Sequence, residues 1–299
     1  MTKILSGLHV ALLTGFTDAG EYCAKRQENI LGYVLRQNVT GLFVGGSSAE
    51  GALMSFAELK QQQVQCRDSA KATGKQLIAH VGQPSLKESI ALAENAAALG
   101  YDGLSALPPH SYPFNQQEIF EYYRALSQAT DLPLIVYEAP FRTGRPTPID
   151  EMVKVLDLPN VTGLKFTSSD LFGLSCLQKA RPDVAYFYGF DELLSSAYAL
   201  GVDGGIGTTY NVLGNLYMAI HEAAQANDLM RMRELQMISQ DYVRAIIQTG
   251  VMPGTKLTLE ILGVDCGPSR APFTLRGDNP RKIIEDAVNA PGFRDWIAK

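Results

Sequence analysis

A single lysine stands inside an apolar run, in the stretch "VTGLKFTSSD" that begins at Val161. The run has the length of a buried strand, where an ammonium is costly unless it is paired or loses its proton. Strand alternation puts Val161, Gly163 and Lys165 on one face, and Leu164 and Phe166 on the other. If Leu164 and Phe166 face covering helices, Lys165 points inward. It is then either the partner of a buried carboxylate or a nucleophilic amine of lowered pKa.

Tyr137 ends the preceding apolar run, "LPLIVYEAP", which begins at Leu132. The same alternation predicts that Tyr137 faces inward on a strand next to that of Lys165. Its hydroxyl could then exchange a proton with a group bound at the amine. A core tyrosine with a satisfied hydroxyl is the alternative interpretation.

Other polar side chains stand where further apolar runs end. They are Ser47, Ser48, Thr167, Asp191, Glu192, Thr208 and Thr209. For the serines and threonines, a purely structural explanation is equally good. The adjacent carboxylates of Asp191 and Glu192 suit vicinal hydroxyls as ligands and would repel a phosphate. They would also be favoured at a helix N-terminus.

Eight apolar runs of strand length recur along the chain and alternate with helical segments. They begin at Gly7, Gly41, Lys75, Gly103, Leu132, Val161, Ala185 and Val202. Continuous apolar strands separated by helices predict a parallel α/β fold, and eight units predict a closed (β/α)8 TIM barrel. A doubly wound open sheet is the competing architecture.

Helix signals support this division of the chain. Ser55 with Glu58 and Ser85 with Glu88 have the spacing of capping boxes. Two amphipathic segments and no strand follow residue 226, so we expect a C-terminal helical extension. We predict a barrel at 1–225 and packed helices at 226–299, within one structural unit.

Composition limits the classes of function. The 299 residues are 46% hydrophobic and carry a net charge of −5, which argues against nucleic acid as a partner. Apolar runs are too short to cross a membrane. The four cysteines are scattered and form no CxxC pair, which predicts reduced thiols and a cytoplasmic location. The four histidines are also scattered and form no HExxH motif, so we expect no metal site.

Five motifs, in order, resemble the dihydrodipicolinate synthase / N-acetylneuraminate lyase family. They are "GGSSAEG" at 45–51, "YEAP" at 137–140, "GLKFTSSD" at 163–170, "GFDE" at 189–192 and "GGIGTTYN" at 204–211. The last three are most similar to the N-acetylneuraminate lyase branch. The resemblance implies a class I aldolase on a (β/α)8 barrel, a homotetramer that needs no metal or organic cofactor.

The resemblance also implies roles for individual residues. Lys165 would form a Schiff base with pyruvate or a 2-keto sugar acid, and Tyr137 would relay protons. Ser47 and Ser48 would bind the substrate carboxylate, and Thr167 would lie near the reacting hydroxyl. The residues that would hold the polyhydroxy tail are Gly189, Asp191, Glu192 and Thr208.

Three positions depart from the pattern of the lyases. Glu138 stands where asparagine is common in the family. Arg142 resembles the synthases, in which an arginine there binds the carboxylate of the second substrate. It could instead pair with Glu138 or another acid in the loop. The segment "PPHSYPF" carries His110 and Ser111 near the place of an interface tyrosine pair.

Three functions follow from these observations. The first is cleavage of N-acetylneuraminate, or of a related 2-keto-3-deoxy sugar acid, to pyruvate and an aldose. The second is a dihydrodipicolinate synthase or another pyruvate-dependent aldolase or dehydratase. The third is a binding protein without turnover, motivated only by the altered "PPHSYPF" segment.

Overall fold

Residues 5–299 are described by a computed structural model. Eight parallel strands close into a barrel in which each strand pairs with its sequence neighbours and β1 pairs with β8. The strands are Gly7–Ala11 (β1), Gly41–Val44 (β2), Gln76–His80 (β3), Gly103–Ala106 (β4), Leu134–Glu138 (β5), Val161–Phe166 (β6), Ala185–Tyr188 (β7) and Gly204–Gly207 (β8). The predicted (β/α)8 architecture is confirmed.

Helices follow the strands around the outside of the barrel. They are Ala24–Val34 (α1), Phe56–Ala70 (α2), Leu86–Ala98 (α3), Gln116–Ser127 (α4), Pro140–Thr143 (α5), Ile149–Leu156 (α6), Leu171–Ala180 (α7), Leu194–Tyr198 (α8) and Tyr210–Gln225 (α9). Short 3-10 helices cover Gly51–Leu53, Asp191–Leu193 and Arg294–Trp296.

The C-terminal extension consists of Leu229–Thr249 (α10), Val251–Ile261 (α11) and Pro280–Val288 (α12). In the described part of the chain, no strand follows β8, as the sequence predicts. Within residues 5–299, none of the helices combines the length and the apolar character that a bilayer span requires.

The start of α2 carries the complete capping box that the sequence predicts, and the start of α3 carries the serine half of one. The Ser55 hydroxyl accepts the Glu58 N–H, and the Glu58 carboxylate accepts the Ser55 N–H, which completes a capping box on α2. On α3, the Ser85 hydroxyl accepts the Glu88 N–H. These contacts satisfy amides that the first helical turn leaves free.

Two hydrophobic layers define which way each strand residue points. A small inner cluster fills the barrel, and a larger outer cluster packs the strands against the helices. The inner members are Leu5, Ala11, Phe43, Ile78, Ile135, Ala185, Phe187 and Ile206. Leu164 and Phe166 belong to the outer cluster, so Lys165 between them points into the barrel as alternation predicts.

Val161 is an exception, and the prediction that it shares a face with Lys165 is wrong. It packs in the outer cluster beside Leu134, its register partner. The register of β5 against β6 shifts between Leu134 and Ile135. A local irregularity of this kind interrupts strict alternation, so residues on either side of it change faces.

Candidate active site

A cavity of about 590 Å³ opens beside the catalytic candidates and is the size of a small-molecule pocket. Strand ends supply its polar base. All of the predicted site residues except Glu138 line it, namely Ser47, Ser48, Tyr137, Arg142, Lys165, Thr167, Gly189, Asp191, Glu192 and Thr208. The structure therefore brings together residues that lie far apart in the chain.

Lys165 lies deep in the cavity and is only 5% exposed. Its Nζ is 3.6 Å from the centroid of the Tyr137 ring and 5.1 Å from that of Phe43. Burial lowers the pKa of the amine, and the nearby Tyr137 hydroxyl only partly offsets this effect. A neutral amine is the form that attacks a carbonyl, so the surroundings favour a nucleophile.

Tyr137 is the register partner of Lys165 across β5 and β6, which explains why the two side chains meet. Burial by itself raises the pKa of the Tyr137 hydroxyl, but the positive charges of Lys165 and Arg142 outweigh it and lower the pKa to about 8. The rings of His80 and Phe43 pack edge-on against Tyr137. A phenol that ionises so near neutrality can both give and accept a proton.

Ser47 and Ser48 lie in a tight loop that follows β2. The Glu50 N–H donates to Ser47 O, and the Gly51 N–H donates to Gly46 O, each at 3.1 Å. The Ser48 and Thr208 hydroxyls are 2.6 Å apart, which joins this loop to the end of β8. Hydroxyls and backbone amides of such a loop can bind a carboxylate without a cation.

Thr167 and Gly189 approach each other closely above Lys165. A Cβ atom at Gly189 would lie 1.8 Å from Thr167 Oγ1, so a larger residue at 189 would displace the threonine. The Thr167 N–H donates to Glu138 O at 2.8 Å, which continues the strand pairing past β6. The glycine therefore keeps room for the Thr167 hydroxyl.

Asp191 starts a 3-10 helix, and hydrogen bonds to one of its two carboxylate oxygens hold the side chain in place. Its Oδ2 accepts the Thr209 N–H at 2.8 Å and the Thr209 hydroxyl at 2.6 Å. Its Oδ1 is buried and has no hydrogen-bond partner within residues 5–299. Burial raises the pKa of Asp191 to about 7, and burial also raises the pKa of Glu192. Two carboxylates with acceptor capacity to spare can hold a ligand rich in hydroxyls.

Arg142 and Glu138 lie in different elements, since Glu138 ends β5 and Arg142 belongs to α5. Glu138 is buried away from the cavity, where its carboxylate accepts the Thr147 N–H at 2.9 Å and the Thr147 hydroxyl at 2.8 Å. Arg142 lies on α5, exposed, with its guanidinium 5.2 Å from the centroid of the Phe141 ring. The structure therefore puts Arg142 at the cavity and Glu138 in a scaffold contact with Thr147.

The extension supplies a wall of the cavity that the sequence interpretation missed. Val243, Ile246 and Ile247 of α10 and Val251, Met252 and Pro253 of α11 line it. Their helical spacing was a signal, but it predicts packing on the barrel equally well. Arg276 also reaches the lining, and no motif points to it.

The "PPHSYPF" segment lies beside a second, smaller cavity. His110 and Ser111 line this cavity, which shares Ser47, Arg142 and Phe273 with the first one. Tyr112 is 71% exposed. Across residues 5–299, no three His, Cys, Asp or Glu side chains come together in an arrangement that could hold a metal ion.

The model of the dihydrodipicolinate synthetase family matches residues 4–290. The chain belongs to this family. The resemblance inferred from five motifs is therefore confirmed, and it extends through the barrel and most of the extension. The family assignment agrees with the closed barrel and with the inward-facing lysine on β6.

Relatives within the family point toward one branch. N-acetylneuraminate lyase from Rhizobium meliloti (strain 1021) is 38% identical over 286 residues, covering 95% of this chain and 94% of that protein. CdNal from Clostridium difficile, solved in complex with mannosamine, is 33% identical with a TM-score of 0.92, covering 98% of this chain and 99% of that one.

A second solved structure is similar to this chain to nearly the same degree. N-acetylneuraminate lyase from Fusobacterium nucleatum, complexed with pyruvate, is 32% identical with a TM-score of 0.89. The alignment covers 96% of this chain and 97% of that one. The chain thus shares its whole architecture with members of the lyase branch of the family.

Proposed function

We propose that the protein is a Schiff-base-forming lyase that cleaves N-acetylneuraminate, or a closely related 2-keto-3-deoxy sugar acid, reversibly to pyruvate and an aldose. The observation that carries the proposal is the buried Lys165, 3.6 Å from the Tyr137 ring, in a cavity that Asp191 and Glu192 also line. An amine alone suits many aldolases. The adjacent carboxylates make a hydroxyl-rich substrate the best match.

The chemistry follows from the state of each side chain. The neutral amine of Lys165 attacks the keto carbon. The hydroxyl of the resulting carbinolamine takes a proton from Tyr137 and leaves as water, so that a protonated imine and a Tyr137 phenolate remain. The imine accepts the electron pair when the C3–C4 bond breaks, which releases the aldose and leaves an enamine of pyruvate. Tyr137 takes the proton from the C4 hydroxyl and returns one to C3, a task suited to a hydroxyl whose pKa neighbouring positive charge lowers. Hydrolysis of the imine frees pyruvate and restores Lys165.

The other residues bind and orient the substrate in this proposal. Ser47 and Ser48 hold the carboxylate next to the imine. Thr167 contacts the reacting hydroxyl, and Gly189 leaves it room. Asp191, Glu192 and Thr208 accept or donate hydrogen bonds along the sugar chain. None of these steps needs a metal or an organic cofactor, so EDTA should leave turnover unchanged.

The first experiment measures pyruvate release from N-acetylneuraminate, coupled to a dehydrogenase, beside Lys165→Ala. We expect release by the wild type and a loss of at least about 1,000-fold in the variant, because no other group can form the imine. Borohydride with labelled pyruvate should mark the wild type and not the variant. Labelling of the variant at the same site would disprove the nucleophile assignment.

Arg142 supports a second candidate, a dihydrodipicolinate synthase or related aldolase. Its guanidinium is at the cavity and could bind a second carboxylate. The outcome that favours this candidate is a pyruvate adduct with no turnover of N-acetylneuraminate, and turnover of aspartate semialdehyde with pyruvate that fails in Arg142→Leu.

We also propose a cytoplasmic location, in keeping with four free cysteines, of which Cys66 and Cys266 are buried.

A further inference from the structure

A buried ion pair lies beneath the Ser47–Ser48 loop and joins the barrel to the C-terminal extension. Lys256 of α11 places its Nζ 3.0 Å from Glu50 Oε1, and the two side chains are 3% and 0% exposed. The ammonium also donates to Pro268 O at 2.8 Å and lies 4.5 Å from the centroid of the Phe16 ring. Burying two charges costs free energy, so the presence of a fully buried ion pair is weak evidence that it stabilises the fold.

Glu50 is part of the loop that the proposed mechanism uses. It follows Ser48 by two residues, and its N–H closes a turn onto Ser47 O. Its φ of +60° is a left-handed conformation that residues other than glycine seldom adopt. Because the backbone bends sharply at Glu50, whatever fixes the Glu50 side chain also fixes the direction of the two serines.

The second carboxylate oxygen of Glu50 ties the loop to another part of the extension. Oε2 accepts the Arg270 N–H at 2.7 Å. The Arg270 side chain in turn donates to Leu53 O at 2.6 Å and to Glu58 Oε2 at 3.0 Å. Glu50 and the residues that follow it, Leu53 and Glu58, are therefore held by the segment that follows α11.

The loop is also fixed by Thr14, which follows β1, and through it by Gln62 of α2. The Thr14 hydroxyl donates to Ala49 O at 2.7 Å, and Gln62 Nε2 donates to Thr14 Oγ1 at 2.8 Å. These contacts involve neutral groups and hold only the carbonyl of Ala49. The Glu50–Lys256 ion pair differs from these contacts, because it is charged and fully buried.

We propose that the Glu50–Lys256 ion pair is a positioning device that holds Ser47 and Ser48 in the geometry that binds the substrate carboxylate. The consequence for binding rests on the proposed function, because it takes pyruvate as the ligand. Neither Glu50 nor Lys256 touches substrate in this proposal. They act through the backbone of the loop.

The test variant is the pair of substitutions Glu50→Gln and Lys256→Met. Together they remove both charges, so neither is left buried and unpaired, and the amide carbonyl introduced at position 50 can still accept the Arg270 N–H. We expect the pyruvate concentration for half-maximal borohydride trapping to rise about 10- to 100-fold, the loss that a small misplacement causes. The trapping rate at saturating pyruvate should stay close to that of the wild type.

Lys75→Met is the matched control. Lys75 is a partly buried lysine at the opposite, amino end of the strands, where it donates to Gln37 O and Val39 O. Its loss should lower thermal stability without changing the pyruvate dependence of trapping. Glu50→Gln alone is the second variant if the pair does not fold. Burial lowers the pKa of Lys256, so its amine can lose the proton once the carboxylate is gone, and this variant should shift the pyruvate dependence in the same direction.

Hydrogen exchange of a peptide covering residues 45–54 supplies a readout that does not depend on catalysis. We expect faster exchange of this peptide in the double variant and unchanged exchange in Lys75→Met. Wild-type exchange together with wild-type pyruvate dependence in the double variant would overturn the proposal. Failure of the wild type itself to trap pyruvate would refute the proposed function, and the exchange data would still decide whether the pair holds the loop.

Discussion

The carboxyl group of Asp191 is 6% exposed, and burial raises its pKa to about 7. A carboxyl whose pKa is higher in the folded than in the unfolded chain binds more protons when folded. Stability then falls as the pH rises from about 4, the unfolded pKa, to about 7. At pH 8 the folded protein holds an ionised Asp191 at a cost to stability. Such a group is retained when ligand binding requires it.

Asp191→Asn should separate this cost from the binding role. The amide has the same shape and cannot ionise. We expect its stability advantage over the wild type to be larger at pH 8 than at pH 5, by about 2 kcal/mol. The KM for the sugar acid should rise while pyruvate trapping is unchanged. Denaturant unfolding at the two pH values checks the first expectation, and an equal advantage at both would contradict it.

Two buried lysines show how far a sequence can predict a site at the level of elements. Lys165 was predictable because a lone charge interrupts a strand whose apolar neighbours reveal the alternation. Lys256 stands in a helix, where lysine is common, and its partner Glu50 is distant in the chain. Burial lowers the pKa of both amines. The pairing that distinguishes them is a tertiary contact without a local signal.

The strands and their order could be predicted from the pattern of the sequence, but the direction in which the Val161 side chain points could not. Eight apolar runs with helix signals between them specify a closed parallel barrel. The register shift between Leu134 and Ile135 depends on how β5 meets β6, and single-strand periodicity does not contain that information. The contribution of α10 and α11 to the cavity likewise depends on where the extension docks.

Helix α10 also positions the side of the cavity that carries Asp191 and Glu192. Gln236 Nε2 donates to Asp191 O at 3.0 Å, its Oε1 accepts the Ser195 N–H at 2.8 Å, and Gln240 Nε2 donates to Glu192 O at 2.9 Å. Gln236 is buried, so its removal leaves backbone groups unpaired. Gln236→Leu should raise the KM for the sugar acid about tenfold and leave pyruvate trapping unchanged. Gln240→Leu, at an exposed position, is the control and should have a smaller effect. Equal losses toward pyruvate and the sugar acid in Gln236→Leu would indicate general unfolding instead.

At the scale of the whole molecule, the proposed single unit of barrel and extension leaves the most exposed large apolar side chains of residues 5–299 at two places. Tyr112, Phe141 and Phe172 follow β4, β5 and β6 and are 71%, 61% and 80% exposed. Met230 and Met237, two helical turns apart on α10, are 73% and 58% exposed. Exposed apolar groups at two separate surfaces favour two kinds of subunit contact, as a tetramer of dihedral symmetry requires.

The homotetramer proposed from the family resemblance can be tested through these two surfaces. Light scattering should report four times the chain mass of 32.6 kDa. Met230→Glu combined with Met237→Glu puts carboxylates where apolar contact is expected. It should halve the mass, because only the contacts through Tyr112, Phe141 and Phe172 would remain. Val64→Glu is the control, since Val64 is 40% exposed on α2, outside both surfaces, and its mass should not change. A wild-type mass of one chain would refute the tetramer. A tetrameric double variant would show that α10 is not a subunit interface.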